Sequence, residues 1–323
     1  MSLSDVLPSQ SHRAPRIAVL IPCYNEAVAI GRVVAEFKRA LPQAGVFVYD
    51  NNSQDDTVEV ARRAGAVVRR EPLQGKGNVV RRMFADVEAD VYILVDGDGT
   101  YDATSAPLLV DRLLRDELDM VTGVRVAESS SAYRLGHKFG NRALTGLVAR
   151  IFGDRCGDML SGYRTFSRRF VKSFPALAAG FEIETELTIH ALELRMPIAD
   201  VAIRYGNREE GSASKLHTVR DGLRIGATIV NIVKDERPLP FFTLVALFFF
   251  FASLGFGYPV VVTYFETGLV PRLPMAVLAM GLMIVACLSF TAGVVLGSVT
   301  SGRRELRRLH YLGIPLFRSE HDL

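Results

Sequence analysis

Apolar and polar positions follow two regimes along this chain. From residue 16 to about 212, short apolar runs alternate with stretches of helical periodicity. Ile17 to Ile21, Val46 to Tyr49, Ala66 to Arg69, Val91 to Val95 and Asp119 to Gly123 read as strands. Between them, Ala27 to Leu41, Thr57 to Ala64, Gly77 to Val87 and Ser105 to Arg115 repeat at helical spacing, the first stopping at Pro42. Such alternation predicts an α/β fold with right-handed crossovers and a mostly parallel, Rossmann-like sheet covered on both faces.

Beyond residue 240 the pattern changes. Phe241 to Phe265 and Met275 to Gly302 carry no charge, and each exceeds the roughly 20 residues a helix needs to cross a bilayer core. Glu266 to Pro274, with Pro271 and Pro274, reads as a tight turn. The expectation is a two-helix transmembrane hairpin, 241–265 and 275–301, with a buried hairpin of a soluble protein as the alternative. Lys234 and Arg237 precede it, Arg303, Arg304, Arg307 and Arg308 follow it, and its turn offers only Arg272. The positive-inside rule then puts the α/β domain and both termini in the cytoplasm. Just before the hairpin, Leu216, Val219, Leu223, Ala227, Val230 and Val233 recur at helical spacing beside Lys215, Arg220, Arg224 and Lys234. This basic amphipathic segment either lies among lipid headgroups or packs on the domain, and Gly222 and Gly226 mark a bend within it. The expected organisation is a polar tail (1–15), an α/β domain (16–212), juxtamembrane helices (213–238), two membrane helices (240–302) and a cytoplasmic tail (303–323).

A net charge of +3 offers no bulk attraction for nucleic acid. Cys23, Cys156 and Cys287 are far apart and fit a reducing compartment rather than a disulfide framework or a zinc site.

Chemistry concentrates at strand ends, where open α/β sheets bind ligands. Val91 to Val95 delivers Asp96 and Asp98, hard oxygen ligands suited to Mg²⁺ or Mn²⁺ that also holds a substrate diphosphate. The plainer reading is an acidic turn in which Gly97 and Gly99 supply positive φ. Pro22-Cys-Tyr-Asn-Glu26 follows the first strand, and Asp50-Asn-Asn-Ser-Gln-Asp-Asp-Thr57 the second. Both offer acceptors for a nucleobase and ribose, while Ser53 and Asp55 also suit a helix N-cap. Lys76, in Gly75-Lys-Gly-Asn78 at a helix start, suits a phosphate. The spacing is not that of a Walker loop, and no Gly-x-Gly-x-x-Gly follows the first strand. Glu182, Glu184 and Glu186 either line a pocket on an extended segment or cap the helix that continues to Leu194. Arg164 reads equally as a structural ion pair or a ligand. His137 and His190 read as structural, and Arg303 to Arg308 as lipid headgroup contacts.

Taken together, Pro22 to Glu26, Asp50 to Thr57, Gly75 to Asn78 and Asp96-Gly-Asp-Gly-Thr-Tyr-Asp102 resemble family 2 glycosyltransferases of the GT-A fold. Ser161-Gly-Tyr-Arg164 and Tyr205-Gly-Asn-Arg-Glu-Glu-Gly-Ser-Ala-Ser-Lys215 resemble its polyprenyl-phosphate branch, the dolichyl-phosphate mannosyltransferases and undecaprenyl-phosphate glucosyltransferases. The resemblance runs from about Ile17 to Asp235. It implies inverting transfer of one sugar from a nucleotide sugar, UDP favoured over GDP, to polyprenyl phosphate at a bacterial inner membrane, and it admits a homo-oligomer such as a tetramer. On matching positions, Asp98 would ligate the metal and Asp96 the metal or ribose. Asp50, Lys76 and the segment of Pro22, Tyr24 and Glu26 would meet the donor nucleotide. Arg208 would reach the diphosphate, Arg125, Ser161 and Lys215 the acceptor phosphate, and Glu184 the sugar. Thr100 stands where mannosyltransferases often carry a metal-binding Gln. Two rivals are a processive polysaccharide synthase and a silent nucleotide-binding membrane scaffold. The first needs a Gln-x-x-Arg-Trp element, and this sequence has no Trp.

Overall fold

The first strand shows how the sequence builds two cores at once. In β1 (Ile17–Cys23) Val19 and Ile21 join one apolar cluster, and Ala18 and Leu20 join another on the opposite face, because side chains alternate along a strand. The computed structural model describes residues 14–127, 157–180, 182–206, 234–235 and 237–317. These residues divide into two compact units, one of the described residues up to 206 with 307–317 and one of those from 234 to 306.

The larger unit continues with α1 (Ala27–Ala40), β2 (Gly45–Asp50), α2 (Thr57–Arg63), β3 (Val67–Arg70), α3 (Lys76–Asp86) and β4 (Val91–Leu94). A 3₁₀ turn leads into α4 (Ala106–Arg115) and β5 (Met120–Ala127). After residue 156 come β6 (Arg164–Ser167), α5 (Arg168–Ser173), α6 (Ile183–Glu193) and β7 (Ile198–Tyr205). The seven strands lie in the order β3-β2-β1-β4-β6-β5-β7. β3, β2, β1 and β4 run parallel, as do β5 and β7, but β6 is antiparallel to both of its neighbours. The expected mostly parallel α/β sheet is therefore present, with one reversed strand, fifth in that order.

One face is covered by α1, α2 and α4 through Ile30, Phe37, Ala61 and Leu109. The other is covered by α3, α5 and α6 through Met83, Phe84, Phe170 and Leu187. Phe84, Phe166, Phe170 and Phe174 form a continuous aromatic seam there, with Phe166 and Phe170 stacked at 4.5 Å. His190 sits edge-on to Phe170 and Phe174, and its Nε2 lies 3.1 Å from Ser173 Oγ. It is a structural histidine, as expected.

The smaller unit contains α7 (Pro238–Thr267) and most of α8 (Leu273–Leu312). Both are long and apolar enough to cross a membrane. The second runs past its expected end at 301 to Leu312. Its buried positions Ala279, Ala286, Gly293 and Thr300 recur every seven residues, the spacing of a left-handed helix pair. Ser253 Oγ of α7 donates to the Ala279 carbonyl at 2.7 Å, and a Cβ on Gly293 would lie 2.8 Å from the Cβ of Phe242. Small residues thus bring the backbones close, while Phe248, Phe251, Leu254 and Leu288 point outward.

Candidate active site

The carboxyl ends of β1 and β2 are level, with Cys23 opposite Asp50, and the loops that follow are stitched to each other. Asn25 N–H donates to Ser53 Oγ at 2.8 Å, Gln54 N–H to Asn25 Oδ1 at 2.8 Å, and Glu26 N–H to Thr57 Oγ1 at 2.9 Å. Asp55 accepts from the backbone N–H groups of Ala27 and Thr57, which open α1 and α2. Asn25 and Asn52 take positive φ, a conformation asparagine tolerates because its amide bonds locally. Asp50 is buried and accepts from Ser53 N–H at 3.2 Å. Ser53 and Asp55 therefore tie loops together, although Asp56 occupies the cap position of α2.

Asn51 extends this lacing to the next loop. Its Nδ2 donates to the carbonyls of Glu71 and Leu73, and its Oδ1 accepts from Gly75 N–H at 2.7 Å. The loop is thereby fixed where α3 begins, at Lys76. Gly75 has φ of 131°, and a Cβ on Gly77 would lie 2.0 Å from the Ala178 carbonyl oxygen. Glycine is required there by positive φ at the first position and by lack of room at the second.

Lys76 Nζ lies 2.5 Å from Asp96 Oδ1 and 2.5 Å from Glu184 Oε1. The lysine and Glu184 side chains are buried, whereas Asp96 is partly open. Burial alone would lower the Lys76 ammonium, but the two carboxylates outweigh it and hold it well above its ordinary value. Burial, with help from Asp96, pushes the Glu184 carboxyl up against the pull of Lys76. Glu184 belongs to the first turn of α6, which settles the alternatives for Glu182, Glu184 and Glu186 in favour of a helix. Glu186 turns away and accepts from the N–H groups of Leu177 and Ala178.

Asp96 is also wedged against the backbone. A Cβ on Gly162 would lie 2.2 Å from Asp96 Oδ2, and Gly162 N–H donates to Tyr101 Oη at 2.8 Å. Asp98 is buried and accepts from Thr100 Oγ1 at 2.6 Å and Thr100 N–H at 3.2 Å. Thr100 thus orients the second aspartate. Of the two glycines in this turn only Gly99 has positive φ. Gly97 serves closeness instead, since a Cβ there would lie 2.7 Å from Cys23 Sγ.

A second cluster lies along β5 and β6. Arg125 grips Asp158 with both arms, Nε to Oδ2 at 2.7 Å and Nη2 to Oδ1 at 2.9 Å, and its guanidinium lies 5.5 Å from the Tyr205 ring centre. Burial works upward on Asp158, but the Arg125 hydrogen bonds hold its carboxyl below the usual range. Ser161 Oγ donates to the Gly123 carbonyl at 2.6 Å. Arg164 is fully buried and donates to the carbonyls of Ser161 and Met159 and to Thr188 Oγ1. It organises the loop behind Arg125 through neutral partners. Tyr101, 5.2 Å from Tyr205, joins the two clusters through Gly162. Arg208, Lys215 and His137 lie outside the described residues.

The glycosyl transferase family 2 pattern matches residues 18–174. Glycosyltransferase AglJ of Haloferax volcanii is 35% identical over 243 residues, covering 75% of this chain and 77% of that protein. The dolichyl-phosphate hexose transferase of the same organism is 31% identical over 222 residues, covering 68% of this chain and 95% of that protein. The chain belongs to glycosyltransferase family 2. Among solved structures, glucosyl-3-phosphoglycerate synthase from Mycobacterium tuberculosis, crystallised with Mn²⁺, UDP-glucose and phosphoglyceric acid, superposes with a TM-score of 0.56 at 23% identity. That likeness covers 68% of this chain and 79% of the other, and shows the GT-A fold.

This glycosyltransferase carries candidate site residues to which the sequence assigns no role. Asp158 pairs with an arginine 33 positions earlier, a separation that no local pattern announces. Asn51 was in view as part of a polar loop, but its three backbone partners only appear on folding. Tyr101 and Gly162 act by shape and are silent in a charge-based search.

Proposed function

We propose that the chain transfers a single sugar, with inversion, from a nucleotide sugar to polyprenyl phosphate at the cytoplasmic face of a bacterial inner membrane. UDP is the favoured nucleotide. The observation that carries this reading is the junction of Asp96, Lys76 and Glu184 beside Asp98, in a chain with two membrane-length apolar helices. A relative named for dolichyl-phosphate hexose transfer supports the lipid acceptor.

The chemistry asks little of a general base. The second pKa of a phosphate monoester is near 6, so the acceptor is already a dianion at cytosolic pH. Its oxygen attacks the anomeric carbon while the bond to the nucleoside diphosphate breaks. The protein's task is to bring two anions together and to balance the charge on the departing one.

The residues suit that task. Asp50 and the laced loops after β1 and β2 form the nucleoside side, and Lys76 sets a fixed positive charge beside the diphosphate. Glu184 accepts hydrogen bonds from sugar hydroxyls. Arg125, held ready by Asp158, receives the acceptor phosphate, with Ser161 shaping the loop behind it.

Among the described residues no group of three His, Cys, Asp or Glu side chains forms a closed metal cage. Two carboxylates on one turn fit instead an ion shared with substrate phosphates. Asp98 and Asp96 would hold Mg²⁺ or Mn²⁺, which when bound would neutralise charge on the leaving diphosphate.

The test is to incubate membranes containing the protein with undecaprenyl phosphate and a panel of nucleotide sugars, then weigh the lipid products by mass spectrometry. One donor should yield undecaprenyl-phosphate-sugar. Consumption of a nucleotide sugar with no lipid product from any donor would overturn the acceptor assignment.

A further inference from the structure

The last turns of α8, from Arg307 onward, belong to the same compact unit as the catalytic domain. Arg307, in the basic run that suggests lipid headgroups, donates from Nη1 to Glu193 Oε2 at 2.6 Å, and the Glu193 side chain is only 2% exposed. His310 Nε2 lies 3.0 Å from the Lys172 carbonyl oxygen. Tyr311 Oη donates to Asp119 Oδ2 at 2.7 Å. Asp119 is fully buried and also receives Ser167 Oγ and the Arg169 guanidinium, which itself lies 5.0 Å from the Tyr311 ring centre. Leu316 and Phe317 line a small crevice with Leu113, Leu114 and Leu118.

These contacts fall at informative places. Glu193 is the last residue of α6, where both burial and the helix dipole oppose a negative charge. A cation delivered there is worth more than a surface pair. The first turn of the same helix carries Glu184. Asp119 immediately precedes β5, whose far end carries Arg125. A helix of this length is a stiff rod of about 16 Å, so fixing one end fixes the other.

We propose that Arg307 and Tyr311 are positioning residues of the active site. They clamp the ends of α6 and β5 remote from it, and so set Glu184 and Arg125. The assignment rests on the reading of those two residues as sugar and acceptor contacts, but the clamp itself is tested without substrate.

The full-length protein is made as Arg307→Glu, Glu193→Arg, the double exchange and Tyr311→Phe. Amide hydrogen exchange in Glu184 to Leu187 should rise about ten-fold or more in each charge reversal and return to within about three-fold of the parent in the double exchange. In the charge reversals turnover on undecaprenyl phosphate should fall and the donor KM rise, through Glu184, and both should recover in the double exchange. Tyr311→Phe, which removes one hydroxyl, should lower turnover about two- to five-fold at unchanged donor KM. If a charge reversal fails to fold, Arg307→Gln and Tyr311→Phe carry the same comparison. Unaltered exchange in Arg307→Glu, or a double exchange no better than the worse single change, would overturn the clamp. A parent protein that makes no glycolipid would instead count against the proposed function, and the exchange data would still decide the clamp.

Discussion

The two halves of the sheet edge are built on different principles. Around β1 to β4 the loops are held by asparagine, aspartate, serine and threonine side chains bonded to backbone amides. Around β5 to β7 the scaffold is long-range: the ion pair of Arg125 with Asp158, and Arg164 buried behind it on neutral partners. The first half is set by short polar motifs and forms the proposed donor cradle. The second depends on residues that meet only because β6 reverses between β4 and β5. Lys76, bridging Asp96 and Glu184, is where the halves are joined.

Four substitutions probe that division, in decreasing order of effect. Asp98→Asn should lower sugar transfer by at least about 100-fold, since charge balance at the leaving group is lost. Unchanged turnover in that variant would remove the metal role. Lys76→Met leaves two carboxylates facing each other at the join, and breaking such a buried pair costs about 3–5 kcal/mol. Urea unfolding measures it, and a loss below about 1 kcal/mol would show the join to be energetically slack. Asn51→Ala confines the damage to the donor half. Its stranded backbone groups should cost about 1–3 kcal/mol and weaken UDP binding, measured by calorimetry, while the acceptor KM holds. Arg125→Ala should do the reverse, raising the KM for undecaprenyl phosphate about ten-fold with donor affinity unchanged. Equal loss of both affinities would erase the distinction between the halves.

A pH experiment reports on the packing beneath α6. Burial, reinforced by the charge of Arg307, lowers the His190 pKa from 6.5 to about 3. The folded protein therefore keeps this ring neutral while the unfolded chain takes up a proton. The stability it contributes is complete above pH 6.5 and falls by about 1.4 kcal/mol per pH unit on acidification through the window down to about 3. His190→Gln should flatten that part of the profile, measured as urea stability at pH 7 and pH 5. An unaltered slope would place the titration elsewhere.

The difference between the halves is also the difference between what was legible and what was not. Strands β1 to β5 and the helices between them were readable because each is a single apolar run with local stop signals, such as Pro42 after α1. Asp96, Asp98, Lys76 and Asp50 were readable because each sits at a strand end or helix start. The reversed β6 was not, for its four residues, Arg164 to Ser167, are all buried and lack alternation. Nor was the pairing of Lys76 with Glu184, because the two lie 108 residues apart. The long apolar helices were evident from composition, but the return of Arg307 and Tyr311 to the catalytic unit was hidden by the same basic residues that suggested lipid.

Gly162 draws a consequence from something missing. The carboxylate of Asp96 rests in a notch that even one methyl group would fill. Alanine at this position would force that oxygen to shift. The Asp96 carboxylate keeps its place because this position carries a hydrogen atom where every other amino acid carries carbon.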